Sequence, residues 1–279
     1  MRPLSEFRPA GALRVLYADL DGTLLGPGGS LFAAVPEGVT SRGAEALAAL
    51  RERGVDLVLV SGRTRAQMRE AARIMSASSY IAELGAYLVE RGLPDRVMPN
   101  LGVYAGSGSA FDAIARSGAG AFLLERYAGR LEPHAPWAFE DREATMLFRG
   151  FLDTAEAGAA LARAGYGWLE ILDNGVIRRR FDTLDVPEIH AYHVVPRGVG
   201  KGSAVRLHRE LHDLPREDTA AVGDSLSDLG LAGEVGALFV VANGVESVGT
   251  AGDGLDNVFT TPSAAGDGVG EAVSALLSV

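Results

Sequence analysis

Two aspartates set two residues apart, Asp19 and Asp21, end the apolar run Leu13-Arg14-Val15-Leu16-Tyr17-Ala18. Side chains alternate along an extended strand, so both carboxylates fall on one face. Carboxylates that close repel, and the pair needs a cation or a shared proton. Taken alone, Asp-x-Asp-Gly is more simply explained as an Asx turn at a strand end, since Asp and Gly are ordinary turn residues. Three further stretches shift that balance. Leu57 to Val60 delivers Ser61-Gly62, Ala220-Ala221-Val222 delivers Gly223-Asp224 with Asp228 four residues on, and Lys201 stands between Gly200 and Gly202 at a helix start. In an open parallel sheet the carboxyl ends of the strands converge on one crevice, which would gather these groups.

Lys201 is informative by contrast with the rest of the chain. Of the 26 basic residues it is the sole lysine. A cation at a helix start is electrostatically unfavourable, and a compact ammonium differs in shape from the planar guanidinium fork. The choice of lysine there points to a crowded site for metal and phosphate.

The elements that must hold these residues follow from periodicity. Val15 to Ala18 reads as a buried strand. Thr40 and Ser41 offer caps for a helix with Ala44, Leu47, Ala48 and Leu50 on one face, ended at Gly54. A strand at Val55 to Val60 and a helix at Thr64 to Met75 come next, the rhythm of a parallel sheet with crossovers. The rhythm returns with a helix at Lys201 to Leu211, a strand at Thr219 to Val222, a short helix at Leu226 to Leu231 and a strand at Leu238 to Ala242. A last strand at Val258 to Thr260 and a helix at Gly270 to Leu277 complete it. Between these halves, strands at Met146 to Phe151, Trp168 to Leu172 and Val176 to Phe181 surround a helix at Thr154 to Ala164. Asp173-Asn174-Gly175 predicts a hairpin turn between the last two strands.

Length and composition narrow the class. A chain of 279 residues favours two domains at about 150 residues each. With 47% hydrophobic and 22% charged residues it is an ordinary globular sequence. A net charge of -10 disfavours nucleic acid as a partner. The absence of cysteine excludes disulfides, thiolate zinc sites and a cysteine nucleophile. No apolar run approaches the roughly 18 residues that span a bilayer, and Leu13 to Ala18 is too short for a signal peptide. The expectation is a soluble cytoplasmic protein without a membrane partner, acting as a monomer or homodimer.

The four stretches together resemble the motifs of the haloacid dehalogenase superfamily of phosphatases. Val15 to Thr23 is similar to its first motif, Ser61 in Ser61-Gly62-Arg63 to its second, Lys201 to its third and Gly223 to Asp228 to its fourth. The resemblance implies an α/β fold: a Rossmann-like parallel-sheet core from 1–84 and 193–279, with an inserted α+β cap of the C2B type at 85–192. That cap is found in the Cof-like, sucrose-phosphatase and mannosyl-3-phosphoglycerate phosphatase branches. It also implies the chemistry. Asp19 would be the nucleophile that forms an aspartyl phosphate and Asp21 the acid and base, a covalent route open to carboxylates. Gly22, Ser61, Gly62 and Lys201 would hold the phosphoryl oxygens. Mg2+ would be held by Asp19, the Asp21 carbonyl and Asp224, with Asp228 in support.

Arg63 and Ser227 are candidate substrate contacts. Ser227 is a departure from those branches, which commonly carry Asn there. The expected substrate is a small soluble phosphate monoester, a sugar phosphate or a glycosylated phosphoglycerate, with any extra carboxylate met by a cap arginine. A phosphomutase of the phosphomannomutase type is the alternative. A nucleotide-sugar glycosyltransferase would leave Ser61, Lys201 and Asp224 unexplained, and a non-catalytic module need not keep all four motifs.

Other signals are weaker. His208 and His212, four apart on a helix, read as an exposed polar face. Gly106 to Phe111 begins like a dinucleotide fingerprint but lacks its third glycine, and reads as a turn before a helix. Arg178 and Arg180 would share a strand face, which is more simply a solvated edge than an anion site. His134, Trp137, His190 and His193 have no role that the sequence assigns.

Overall fold

The computed structural model describes residues 1–9, 11–177 and 179–278. In chain order, β1 (Arg2–Pro3), β2 (Val15–Asp19), β3 (Asp56–Val60), β4 (Ser79–Ala82), β5 (Tyr87–Glu90) and β6 (Arg96–Pro99) come first. They are followed by β7 (Leu131–Pro133), β8 (Met146–Gly150), β9 (Leu169–Val176) and β10 (His190–Pro196), and then by β11 (Thr219–Gly223), β12 (Ala237–Val240) and β13 (Val258–Thr260). The large sheet has the order β1-β13-β12-β11-β2-β3-β4-β5-β6, and β7-β8-β10-β9 form a separate sheet. Pairing in the large sheet is parallel from β1 across to β4 and antiparallel at β5 and β6. All pairs of the small sheet are antiparallel.

The continuous apolar runs of the central strands are explained by helices on both faces of the sheet. Leu16, Ala18, Leu57, Leu59, Val222 and Phe239 pack on one side with Leu50 and Val273 from the helices Arg42–Glu52 and Ala265–Leu276. Val15, Tyr17, Val58, Val60, Ala221 and Leu238 face the other side with Val205 from the helix Lys201–Leu211. Burying each large side chain contributes roughly 1.5–3 kcal/mol, which fixes strand register as well as stability. That register sets Asp19 opposite Val60 and Val222 opposite Ala18, so β2, β3 and β11 end side by side.

Several sequence expectations change here. β5 and β6 extend the large sheet, and β10 runs to Pro196 in the small one. The change of layer therefore falls near 100 and 197 rather than at 85 and 192. The Asp173-Asn174-Gly175 hairpin does not form, because β9 passes straight through these residues to pair with β10. Asp173 Oδ1 accepts from the Gly175 N–H, Gly175 takes φ +98°, and the register with β10 shifts at His190/Tyr192. The turn chemistry is spent on a bulge. The strand expected at Val176 to Phe181 is absent beyond Val176 among the described residues, and Arg178 lies outside them. His208 is buried rather than exposed, its Nδ1 2.9 Å from the Tyr17 hydroxyl. No helix among the described residues is long and apolar enough to cross a membrane.

Candidate active site

The site is built where β2, β3, β4, β11 and β12 end. Asp19 is the last residue of β2 and Lys201 the first of its helix, and both are almost completely buried. Lys201 Nζ donates to Asp19 Oδ1 at 2.8 Å and to Asp228 Oδ1 at 2.7 Å. Asp228 comes from the short helix Leu226–Leu229 after β11, and its Oδ2 accepts from Asp224 N, Ser225 N and the Ser225 hydroxyl. Asp224 accepts from the Thr23 hydroxyl on Oδ1 and from Asn243 Nδ2 on Oδ2, both at 3.2 Å.

Two glycines let these chains approach. Gly22 has φ +85°, and a Cβ there would lie 2.1 Å from Asp224 Oδ2. At Gly223 a Cβ would lie 2.3 Å from Asp228 Cγ. Neither position has room for a side chain.

Charge is unevenly supplied. One oxygen from each of Asp19, Asp224 and Asp228 lies within 4.8 Å of the others, and among the described residues Lys201 is the one cation hydrogen-bonded to them. Burial pushes Asp19 up to about 7, Lys201 opposes this, and Asp228 adds to it. Asp224 is raised well above the usual carboxylate range by burial and then by Asp19 and Asp228. Burial alone would lower Lys201, but the two carboxylates more than reverse it. The cluster thus holds more acid than one ammonium neutralises. Its donors are all oxygen, the set a hard divalent cation takes, so the residues fit a magnesium ion. Among the described residues Asp19 Oδ2 accepts no bond and each Asp224 oxygen accepts one at 3.2 Å, which leaves lone pairs for such an ion, whereas Asp228 is held by Lys201 on Oδ1 and by three donors on Oδ2.

Above this floor, a cavity of about 890 Å³ is lined on the core side by Asp21, Gly22, Ser61, Gly62, Arg63 and Asp224. Ser61 follows β3, and the Arg63 N–H donates to its hydroxyl. Arg63 grips Asp21 in a fork, Nε to Oδ2 at 2.8 Å and Nη2 to Oδ1 at 2.5 Å. That bond, followed by burial working against it, leaves the Arg63 guanidinium more basic than usual. Arg63, a candidate for substrate, is thus occupied by the candidate acid and base. The structure also places Ser227 elsewhere: its hydroxyl donates to Asn174 Oδ1 in the β9 bulge at 3.1 Å. It is the joint between core and cap rather than a group open to the cavity.

Sequence reasoning missed four residues that complete the site. Glu83, at the end of β4, is fully buried and accepts from the N–H groups of Glu143, Ala144 and Thr145 and from the Thr145 hydroxyl. Arg142 beside them donates from Nη1 to the Gly62 carbonyl at 2.8 Å. His193 Nδ1 lies 3.1 Å from the Thr145 hydroxyl, and its ring edge faces Gly62. Burial, and then nearby Arg142, holds His193 well below the ordinary imidazole range. Asn243, after β12, donates to the Gly22 carbonyl at 2.9 Å. Glu83 and Asn243 could have been found by the strand-end rule that found Ser61, but Arg142 and His193 carry no such signal.

The chain matches the sequence pattern of the haloacid dehalogenase-like hydrolases over residues 16–93 and 181–273. It belongs to that family. This haloacid dehalogenase-like chain is a phosphatase enzyme with the fold of that superfamily. It is 25% identical over 233 residues to a phosphoglycolate phosphatase of Metallosphaera sedula, covering 83% of this chain and 86% of the relative. A phosphoglycolate phosphatase of Methanospirillum hungatei is 24% identical, with 88% and 91% covered. Among solved structures, the sucrose-phosphatase of Synechocystis, in complex with sucrose and phosphate, superposes with a TM-score of 0.63 at 15% identity, covering 95% of this chain and 98% of that one. A haloacid dehalogenase superfamily phosphatase of Bacteroides thetaiotaomicron gives 0.62 at 19% identity, with 98% and 97% covered. These structural likenesses are of fold.

Proposed function

We propose that this phosphatase hydrolyses a small phosphate monoester through an aspartyl-phosphate intermediate, with magnesium as its cofactor. The observation that carries the reading is the buried arrangement of Asp19, Lys201, Asp224 and Asp228 directly beneath a covered cavity. Asp19 attacks phosphorus, an O–P bond forms to its carboxylate, and the ester P–O bond breaks. Asp21 gives its proton to the leaving alcohol oxygen. Water then attacks the acyl phosphate, Asp21 takes the proton, and Asp19 and inorganic phosphate are released. Lys201 orients Asp19 and offsets charge on the phosphoryl oxygens, joined by the Ser61 hydroxyl and the Gly62 N–H, whereas the Gly22 N–H, expected from sequence to join them, is taken by the Leu25 carbonyl at 2.9 Å. Asp19, the Asp21 carbonyl and Asp224 would hold magnesium, which when bound supplies the positive charge that lets a phosphate approach these acids.

Small size is supported by the cap. Contacts through Glu83, Arg142 and Asn174 close the crevice over, which suits a metabolite and obstructs a polymer. A cavity of about 890 Å³ accommodates the sugar phosphates expected from sequence as well as shorter esters. The names of the phosphoglycolate phosphatase relatives support a phosphorylated carboxylic acid. The test is phosphate release across a panel of sugar phosphates, glycosyl phosphoglycerates, phosphoglycolate and p-nitrophenyl phosphate, with and without Mg2+. Steady release that stops in chelator and returns with Mg2+ is the expected result. Isomer interconversion without net release would replace the phosphatase reading with a mutase.

A further inference from the structure

Arg142 is a cap arginine bonded directly to the loop at Gly62, and among the described residues no acid forms an ion pair with it. Its Nε donates to the Trp137 carbonyl at 3.1 Å, and its Nη1 to the Gly62 carbonyl at 2.8 Å and the Thr145 hydroxyl at 3.3 Å. All three acceptors are neutral, and Nη2 has no partner among the described residues. Most arginines near the site are paired: Arg63 with Asp21, Arg65 with Glu143, Arg149 with Glu132. The acid closest in charge to Arg142 is Glu83, whose two oxygens are already filled by the 143–145 loop. A partly buried guanidinium without a counter-ion is costly, and an arriving anion removes that cost. Arg179 lines the same cavity, also without an ion pair among the described residues, its guanidinium 5.3 Å from the Phe181 ring centroid.

We infer that Arg142 is a specificity residue that binds a second negative group of the substrate, a carboxylate close to the phosphate ester. Spacing carries the carboxylate's position. Arg142 lines the cavity, and the Nη1 bond to the Gly62 carbonyl sets its guanidinium beside the phosphoryl loop, which suits a carboxylate one or two carbons from the ester oxygen. A guanidinium recognises a carboxylate through two N–H donors, and a hydroxyl in the same place accepts only a weaker, uncharged bond. This assignment rests on the phosphatase reading above and names the substrate class within it.

The experiment compares kcat/KM for phosphoglycolate with that for 2-hydroxyethyl phosphate, which puts a hydroxyl where the carboxylate stands, and for p-nitrophenyl phosphate. Wild-type protein should prefer phosphoglycolate over the alcohol by about 10- to 100-fold, the worth of a charge-assisted bond. Arg142→Gln should bring that ratio close to one, with the loss falling on KM for phosphoglycolate, while Arg142→Lys restores part of it. No preference in the wild type, or an equal loss on all three esters in Arg142→Gln, would overturn the assignment, the second outcome giving Arg142 to the phosphoryl group. The wild-type ratio needs no variant, so misfolding cannot hide the answer. Hydrolysis of p-nitrophenyl phosphate that persists in Asp19→Asn would instead sink the phosphatase mechanism itself, and is read separately.

Discussion

In the core half of the site each cation is hydrogen-bonded to an acid, Lys201 to Asp19 and Asp228 and Arg63 to Asp21, whereas in the cap half Arg142 and Arg179 face the same cavity without one among the described residues. The two halves divide the work accordingly. A charge already matched by the protein is held in place for chemistry, because its geometry does not wait for a ligand. A charge left unmatched discriminates between ligands, since its cost is relieved only by the right one. Around the cavity the core side presents Asp21, Asp224 and Glu246 with Arg63, and the cap side Arg142 and Arg179 with Glu188, so among the described residues a substrate anion meets an acidic floor that requires a cation and a roof where arginine outnumbers acid.

The strongest test of the floor is Asp19→Asn, an amide of similar shape that cannot form the acyl phosphate. Turnover should fall by on the order of 10⁴-fold or more while circular dichroism stays unchanged. Next comes Lys201→Arg, which preserves charge but not shape. Loss of a preorganised donor predicts a fall of on the order of 100-fold in kcat, and an unchanged rate would dissolve the contrast between matched floor and unmatched roof. Lys201→Met should in addition lower stability by about 3–5 kcal/mol in chemical denaturation, since it strips a buried ion pair of one partner.

At the joint between the halves, Glu83→Ala leaves the N–H groups of Glu143, Ala144 and Thr145 without their acceptor, at about 1–3 kcal/mol for each group that stays buried. Denaturation should show that loss, and selectivity among esters should weaken with it. The smallest effect is expected for Asn174→Ala, which removes one hydrogen bond to Ser227. A change within about 1 kcal/mol in stability and a few-fold in KM would place this contact as a latch, and a larger fall in kcat would move Asn174 into the floor's machinery.

How much of each half the sequence disclosed follows the same line. The floor was legible because its residues sit at the ends of buried strands, and parallel topology brings such ends together whatever the loops do. Asp19, Ser61 and Asp224 were found that way, and Lys201 as the sole lysine at the start of a helix. The roof was not legible because its residues are gathered by an irregular loop and a bulge. Arg142 lies in a segment between strands, and Asp173-Asn174-Gly175 carries hairpin chemistry that the β9–β10 pairing overrides. Glu83 was missed for another reason. It follows an apolar strand as Ser61 does, but with Leu84 it takes positive φ, 47° and 56°, a strained turn that only its surroundings maintain.

That turn has a mechanical consequence. Three N–H groups and one hydroxyl of the 143–145 loop converge on the single buried carboxylate of Glu83, with the Arg142–Gly62 and Arg65–Glu143 contacts beside it and the Ser227–Asn174 contact across from it. Lifting the cap at Glu83 would strand all four donors at once. On the far side Ser227 meets Asn174 through one hydrogen bond, a smaller cost to break. Hydrogen exchange reads this difference directly: the amides of Glu143, Ala144 and Thr145 should exchange at the pace of the core strands, and that of Gly175, beside the Ser227 contact, faster.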